Sequence, residues 1–125
     1  MGYIYLASPY SHPDYAVRLR RYFAARDATA WLLRRKLWVH SPIVHCHDLA
    51  TSGGLPTDFA FWAEYNYTMI DHAEMLYVLT LDGHAESVGV AAERRYAAKR
   101  GIPVVEFAPP PADVADVANA EGTPK

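Results

Sequence analysis

Short apolar runs alternate along this chain with longer segments that repeat their apolar residues at helical spacing. The runs predict buried β-strands, because they are rich in β-branched and aromatic residues and end at turn-forming residues. The predicted strands are residues 3–7, 37–42, 75–81 and 102–107. The predicted helices are residues 14–35, 58–72 and 87–100, and residues 43–57 are expected to form a long loop or a loop with one helical turn.

This alternation constrains the fold more than any other feature of the chain. Strands separated by helices form parallel sheets, and right-handed crossovers place helices on the faces of such a sheet. The sequence therefore predicts an α/β fold: a three-layer, Rossmann-like (flavodoxin-like), mostly parallel sheet of four to five strands with helices on both faces. One domain is expected at residues 1–108, and residues 109–125, which lack apolar periodicity, are expected to form a flexible C-terminal tail.

Composition excludes several classes of function. The chain has 125 residues and a formal charge of −2, which gives no broad basic surface for nucleic acid. A single cysteine, Cys46, rules out an intramolecular disulfide and fits a reducing cytoplasm. No apolar run approaches the ~18–20 residues of a membrane span, and the N-terminus lacks the layout of a signal peptide. We therefore expect a cytoplasmic protein that binds neither nucleic acid nor membranes.

Polar loops follow three of the predicted strands. Parallel strands bring such loops to one edge of the sheet, where α/β proteins bind ligands. The loops are residues 8–14, 40–48 and 82–93. The hydroxyls of Ser8, Tyr10 and Ser11 could bind a phosphate or a sugar, or cap the next helix. Asp82 opens the third loop, so we expect it beside the same crevice.

The second loop contains several potential metal ligands that are close in sequence: His40, His45, Cys46, His47 and Asp48. Zinc sites usually take two pairs of ligands separated by a loop, and no second pair with such spacing is present. On an extended segment His45 and His47 would face the same side. We favour contact between one of them and a substrate, with His45 as the candidate, and predict no metal. An activated Cys46 thiolate would be a further use of this loop.

Motifs of several common enzyme classes are missing. The chain has no P-loop and no GxGxxG, which argues against ordinary NTP hydrolysis and dinucleotide redox chemistry. Ser8 and Ser41 each precede a proline and lack the glycine spacing that exposes a serine nucleophile. We predict no cofactor.

The segment that follows the third strand has the pattern of a catalytic site. It places Ser87 and Gly89 at a helix start, where backbone N–H groups and the helix dipole bind anions. Glu93 comes about a turn and a half into this helix. A carboxylate near a phosphate site can act as a nucleophile or stabilise an oxocarbenium-like sugar centre. A solvated helix face is the alternative, because two arginines follow Glu93.

Three stretches of the chain resemble the nucleoside 2-deoxyribosyltransferase superfamily. They are residues 73–79, residues 87–93 with a G-x-x-x-E helix start, and residues 97–104 before the last strand. The opening residues 5–11 are similar to members of this group that cleave or exchange N-glycosidic bonds. The resemblance extends to about Phe107.

This resemblance implies roles for two residues. Glu93 matches the family's catalytic glutamate, which attacks C1′ of the sugar, displaces the base and forms a glycosyl-enzyme ester. Ser87 matches the position at the 5′ end of the substrate, where nucleotide hydrolases have serine and transferases have an acidic residue that would repel phosphate. The expected activity is hydrolysis of the N-glycosidic bond of a (deoxy)ribonucleoside 5′-monophosphate to free base and sugar 5-phosphate.

Asn66 departs from the family pattern, which usually has an aspartate there that helps position the nucleophile or the base. Asparagine keeps hydrogen bonding but loses the charge and the ability to transfer a proton. The change could alter base preference or slow the chemistry. It could also be compensated by Asp58, Glu64 or Asp71.

Aromatic residues complete the candidate site. Tyr10 and Trp62 are the first choices for stacking on a base, although aromatics at helical spacing more often belong to a core. Relatives in the superfamily are homodimers or larger, so we expect a homodimer or higher homo-oligomer with residues 58–72 as a candidate interface. The alternatives that stay open are base exchange by a transferase, non-catalytic nucleotide binding, and metal binding through His45 and His47.

Overall fold

The computed structural model describes residues 2–111, which form a four-stranded sheet and four helices. The strands are β1 (Ile4–Ala7), β2 (Val39–His40), β3 (Met75–Leu79) and β4 (Val104–Phe107). The helices are α1 (Tyr15–Arg34), α2 (Pro42–Thr51), α3 (Phe59–Asp71) and α4 (Val88–Lys99). All the described strands run parallel, in the order β2-β1-β3-β4. The predicted α/β fold is therefore confirmed.

Side chains of the central strand β1 alternate between the two faces of the sheet. Tyr5 belongs to a buried cluster with Ile70 of α3 and Ala97 of α4. Leu6, the next residue, belongs to a second buried cluster with Ala28 of α1. Successive strand residues point to opposite faces, so α3 and α4 cover one face of the sheet and α1 covers the other. This arrangement gives the three layers.

Residues 43–57 form the predicted loop only in part, because residues 43–51 are helical. The stretch Pro42–Thr51 is α2, and the hydroxyl of its N-cap, Ser41, accepts a hydrogen bond from a first-turn amide at 3.2 Å. Proline suits the first turn of a helix because an N–H there would lack a partner within the helix. The serine–proline pair therefore starts a helix instead of ending a long strand, and β2 is only Val39–His40.

Capping residues set the other helix boundaries. Asp14 caps α1 and Asp58 caps α3, each through a carboxylate that accepts a backbone N–H. Ser87 caps α4 by accepting the Val90 amide at 3.2 Å. Gly101 follows α4 with a φ of 74°, a left-handed conformation that favours glycine. The Ser87 cap sets the start of α4 and therefore the position of Glu93 along that helix.

Within residues 2–111, no helix combines the length and the apolar character needed to cross a bilayer. The predicted tail at residues 109–125 lies outside the described residues from position 112 onward.

Candidate active site

A cavity of about 610 Å³ opens at the carboxyl edge of the sheet. It lies between Ser8, which follows β1, and Gly83, which follows β3. All four helices and the loops before α1, α3 and α4 contribute to the rest of its wall. The order β2-β1-β3-β4 makes the gap between β1 and β3 the topological switch point, where open α/β sheets bind ligands. Its volume lies within the range of small-molecule sites, roughly 300–1,000 Å³.

Glu93 is on the wall of this cavity although its side chain is only 4% exposed. It lies in the buried stripe of α4 between Val90 and Ala97, residues spaced to share one helix face. The solvated helix face considered from the sequence is therefore wrong. A carboxylate in a buried stripe costs free energy of folding unless it is paired or hydrogen bonded, so its presence beside a cavity indicates a functional site.

Two donors hold one oxygen of the Glu93 carboxylate. The Tyr5 hydroxyl donates to Oε2 at 2.7 Å, and Nδ2 of Asn66 donates to the same oxygen at 3.3 Å. Within the described part of the chain, no donor is hydrogen bonded to the other oxygen, Oε1. The carboxylate is thus fixed in orientation while Oε1 remains available to a bound molecule.

Burial raises the pKa of Glu93 from its ordinary 4.5 to about 7, and the hydrogen bonds from Tyr5 and Asn66 only partly oppose this shift. The pKa of Tyr5 is raised well above its ordinary value, first by burial and then by the nearby Glu93 charge. Tyr5 therefore stays protonated and remains a donor. Near neutral pH, both the ionised and the protonated form of Glu93 are populated, which is typical of catalytic side chains.

Two further polar side chains in the cavity wall are nearly buried. Ser8 and Asn66 are each 6% exposed, and the oxygens Ser8 Oγ and Asn66 Oδ1 have no hydrogen-bond partner among residues 2–111. Buried polar atoms in folded proteins almost always have a partner. These two oxygens are therefore groups that a ligand or a bound water would satisfy.

Arg21 brings a positive charge to the wall of the cavity. Its Nη1 donates to the Ser11 carbonyl at 3.0 Å and its Nη2 to the Asp82 carbonyl at 3.5 Å. Gly83 makes this approach possible, since a Cβ on it would lie 2.4 Å from Arg21 Nη2. Arg21 was not among the site residues predicted from the sequence. The one signal that could have found it is its position two turns into the helix that follows the polar loop at residues 8–14.

His47 lines the cavity, not His45. The His47 ring is stacked on Tyr22 at 4.0 Å between ring centroids, and its Nδ1 is 2.7 Å from the Tyr10 hydroxyl. The His45 ring is stacked on Tyr65 instead. The choice of His45 assumed an extended segment, but residues two apart on a helix do not face each other. Burial lowers the pKa of His47, which favours its neutral form.

The structure brings together eight of the ten predicted site residues. Those that line the cavity are Ser8, Tyr10, Ser11, Trp62, Asn66, Ser87, Gly89 and Glu93. His45 and Asp82 do not line it, because His45 turns away on α2 and Asp82 contributes only a carbonyl to Arg21.

The three carboxylates considered as substitutes for an aspartate at position 66 lie in different surroundings. Asp58 lines the cavity and caps α3. Glu64 is absent from the cavity wall. Asp71 accepts a hydrogen bond from the Tyr96 hydroxyl and forms an ion pair with Arg100. Asn66 is therefore the side chain next to Glu93, with its amide in the place of a carboxylate.

Cys46 also lines the cavity, but it is no activated thiolate. Burial, with the nearby Glu93 charge, raises the pKa of its thiol to about 11. The proposed metal ligands do not converge: in the described chain, no three His, Cys, Asp or Glu side chains form a group that could hold a metal ion.

Fold and site together define an α/β protein with a buried glutamate at the switch point of a parallel sheet. The family described as a domain of unknown function, DUF1937, has a model that matches residues 2–109. The chain belongs to this family. A comparison with curated proteins gives no match. The family description states no activity, so the resemblance to the nucleoside 2-deoxyribosyltransferase superfamily stays a prediction.

Proposed function

We propose that this protein hydrolyses the N-glycosidic bond of a (deoxy)ribonucleoside 5′-monophosphate to free base and sugar 5-phosphate. The observation that carries the proposal is Glu93, a buried carboxylate with a pKa of about 7 and with Oε1 available in a cavity of about 610 Å³. The resemblance of residues 87–93 to the nucleoside 2-deoxyribosyltransferase superfamily supports the same nucleophile.

Glu93 acts as the nucleophile in the proposed reaction. Its ionised Oε1 forms a bond to C1′ while the bond between C1′ and the base nitrogen breaks, and the base leaves with that electron pair. Water then adds to C1′ of the ester and releases the carboxylate, one water proton ending on the base and the hydroxyl on the sugar. Tyr5 and Asn66 are positioning residues, because they hold Oε2 and so aim Oε1.

The phosphate would bind between Arg21 and the start of α4, which line the same cavity. The first-turn amides of a helix lack partners within the helix and bind anions. The Val90 amide already donates to the Ser87 hydroxyl, so the amides of Val88 and Gly89 would bind the phosphate. Ser87, which caps α4, carries no charge that would repel a phosphate. Glu86 also lines the cavity, but it is exposed and solvent screens its charge.

The base would bind against the Trp62 ring in the cavity wall. The Trp62 indole N–H donates to the Pro56 carbonyl at 2.8 Å, which fixes the plane of the ring. Stacking of a base on such a ring contributes about 1–3 kcal/mol and tolerates any base. The Trp62 ring thus favours a nucleobase without choosing among the bases.

The direct test is an assay of free base released from a panel of ribo- and deoxyribonucleoside 5′-monophosphates, with the matching nucleosides alongside. Base is expected from at least one monophosphate and not from its nucleoside. A second base added to the mixture should not be incorporated. Incorporation would indicate a transferase, and tight nucleotide binding without any base release would indicate a non-catalytic binding protein.

The pH dependence of the reaction follows from the pKa of Glu93. Only the ionised carboxylate is a nucleophile, so kcat/KM is expected to fall as the pH drops below about 7 and to level off above it. Initial rates from pH 5 to pH 9 would measure this. A profile that is flat through pH 7 would contradict the assignment.

Arg21→Gln is expected to raise KM for the monophosphate about 10- to 100-fold, because a hydrogen bond to a charged group contributes about 1.5–3 kcal/mol. The effect should be much smaller on binding of the matching nucleoside. Arg20→Gln is the matched control, since Arg20 is an exposed neighbour on α1 that is absent from the cavity wall. Equal KM values for the two variants would remove Arg21 from the phosphate site.

We further propose that the protein is cytoplasmic and forms a homodimer or a higher homo-oligomer. Its one cysteine is a free thiol, which suits a reducing compartment. Phe61 and Tyr65 lie one turn apart on α3 and are 50% and 38% exposed. This aromatic face supports α3 as the surface on which a second copy would pack.

A further inference from the structure

Asn66 holds a buried acceptor that the protein leaves unsatisfied. The side chain is 6% exposed and lines the cavity, and Oδ1 has no hydrogen-bond partner among the described residues. An amide oxygen buried without a donor destabilises the protein. Ser8 Oγ is a second such oxygen, but a hydroxyl can rotate to donate or accept. Of these two oxygens, only Asn66 Oδ1 requires one kind of partner, namely a hydrogen-bond donor.

The orientation of the Asn66 amide is set by Glu93. Nδ2 donates to Glu93 Oε2 at 3.3 Å. Turning the amide over would bring its oxygen against the carboxylate, so that two acceptors would face each other. Oδ1 is therefore directed away from Glu93 Oε2 whenever Glu93 is ionised, which is the state in which Glu93 is nucleophilic.

We propose that Asn66 Oδ1 accepts a hydrogen bond from the 2′-hydroxyl of the sugar, so that the enzyme selects ribonucleotides over 2′-deoxyribonucleotides. This inference rests on the proposed function. If Glu93 bonds to C1′, a side chain hydrogen bonded to that carboxylate lies beside the neighbouring carbon, C2′. The 2′-hydroxyl is the sugar hydroxyl nearest to C1′, and the phosphate lies at the opposite end near Arg21.

The deoxyribonucleotide lacks this donor and would leave Oδ1 buried and unpaired. Sites that hydrogen bond a substrate hydroxyl discriminate strongly against the analogue without it. We expect kcat/KM for a ribonucleotide to exceed that for the deoxyribonucleotide of the same base by about 10- to 100-fold. A leucine at this position would remove the acceptor and fill a similar volume.

The test compares AMP with dAMP and CMP with dCMP in the wild-type protein and in Asn66→Leu. The ratio of kcat/KM within each pair is the readout, because a loss of Glu93 positioning slows both members alike. The ratio should fall to about 1 in Asn66→Leu. A wild-type ratio near 1, or an unchanged ratio in Asn66→Leu, would overturn the inference while leaving the proposed function in place.

Binding of the sugar phosphates to the wild-type protein gives a second measurement that needs neither turnover nor a folded variant. Calorimetry should show ribose 5-phosphate binding at least tenfold more tightly than 2-deoxyribose 5-phosphate. Equal affinities would overturn the inference. Absence of base release from every nucleotide would overturn the proposed function instead. A change in base preference, rather than sugar preference, in Asn66→Leu would show that Oδ1 contacts the base and would also overturn the inference.

Discussion

Glu93→Gln is expected to lower the rate of base release by about a thousandfold or more, because loss of a nucleophile removes most of the rate enhancement. Glutamine keeps the shape of the side chain and can still accept the hydrogen bond from Tyr5. It is neutral, however, and a poor nucleophile toward C1′. Nucleotide binding should therefore survive while turnover is lost, and single-turnover release of base would measure the difference.

Glu106→Gln is the matched control for this variant. Glu106 lies on β4 with its side chain 61% exposed, and it pairs with Arg94 at 3.4 Å. Exposed ion pairs of this kind contribute little to stability, about 0–1 kcal/mol. The control should keep the wild-type rate. A Glu93→Gln variant that retains more than about a tenth of that rate would rule out Glu93 as the nucleophile.

The same Glu93→Gln variant is expected to be more stable than the wild type above pH 7, by about 3 kcal/mol, since each pKa unit corresponds to about 1.36 kcal/mol. The pKa of Glu93 is about 7 in the folded protein and 4.5 ordinarily. Between these values the folded protein holds a proton that the unfolded chain has released, so the free energy of unfolding falls as the pH rises. Above pH 7 the full cost of the buried charge is present, and glutamine removes it.

Urea denaturation of the two proteins at pH 4 and at pH 8 would measure this effect. The unfolding midpoints should nearly coincide at pH 4, where Glu93 is protonated in both states, and should separate at pH 8 with the variant higher. Coincident midpoints at pH 8 would contradict the raised pKa. This outcome is independent of the substrate, so it tests the burial of Glu93 even if the proposed reaction is wrong.

Local patterns were sufficient for most of the fold. Strands β1 and β3 are apolar runs because they are buried, and alternation with helices allows only a parallel sheet. Glu93 was also predictable, because its spacing from Ser87 and Gly89 places it near a helix start that faces the sheet edge. These inferences depend on neighbours in sequence, which is why they hold.

The features that the sequence did not predict depend on contacts between segments that are far apart in the chain. The serine–proline pair before α2 can end a strand or begin a helix, and packing of α2 against α1 and β1 decides between them. Once that segment is helical, His47 faces the cavity in place of His45. Helix α1 contains several arginines. Arg21 differs from the others because it donates hydrogen bonds to the backbone carbonyls of Ser11 and Asp82, which hold it at the cavity.

Tyr5 has two structural roles, packing in the core and orienting Glu93, that are usually divided between different residues. Its ring is fully buried in the core cluster between the sheet and the helices α3 and α4, while its hydroxyl holds Glu93. Phenylalanine would satisfy the packing and lose the hydroxyl, and a smaller polar residue would do the reverse. Position 5 therefore has almost no neutral substitutions, because a change there alters the packing of the core, the orientation of Glu93, or both.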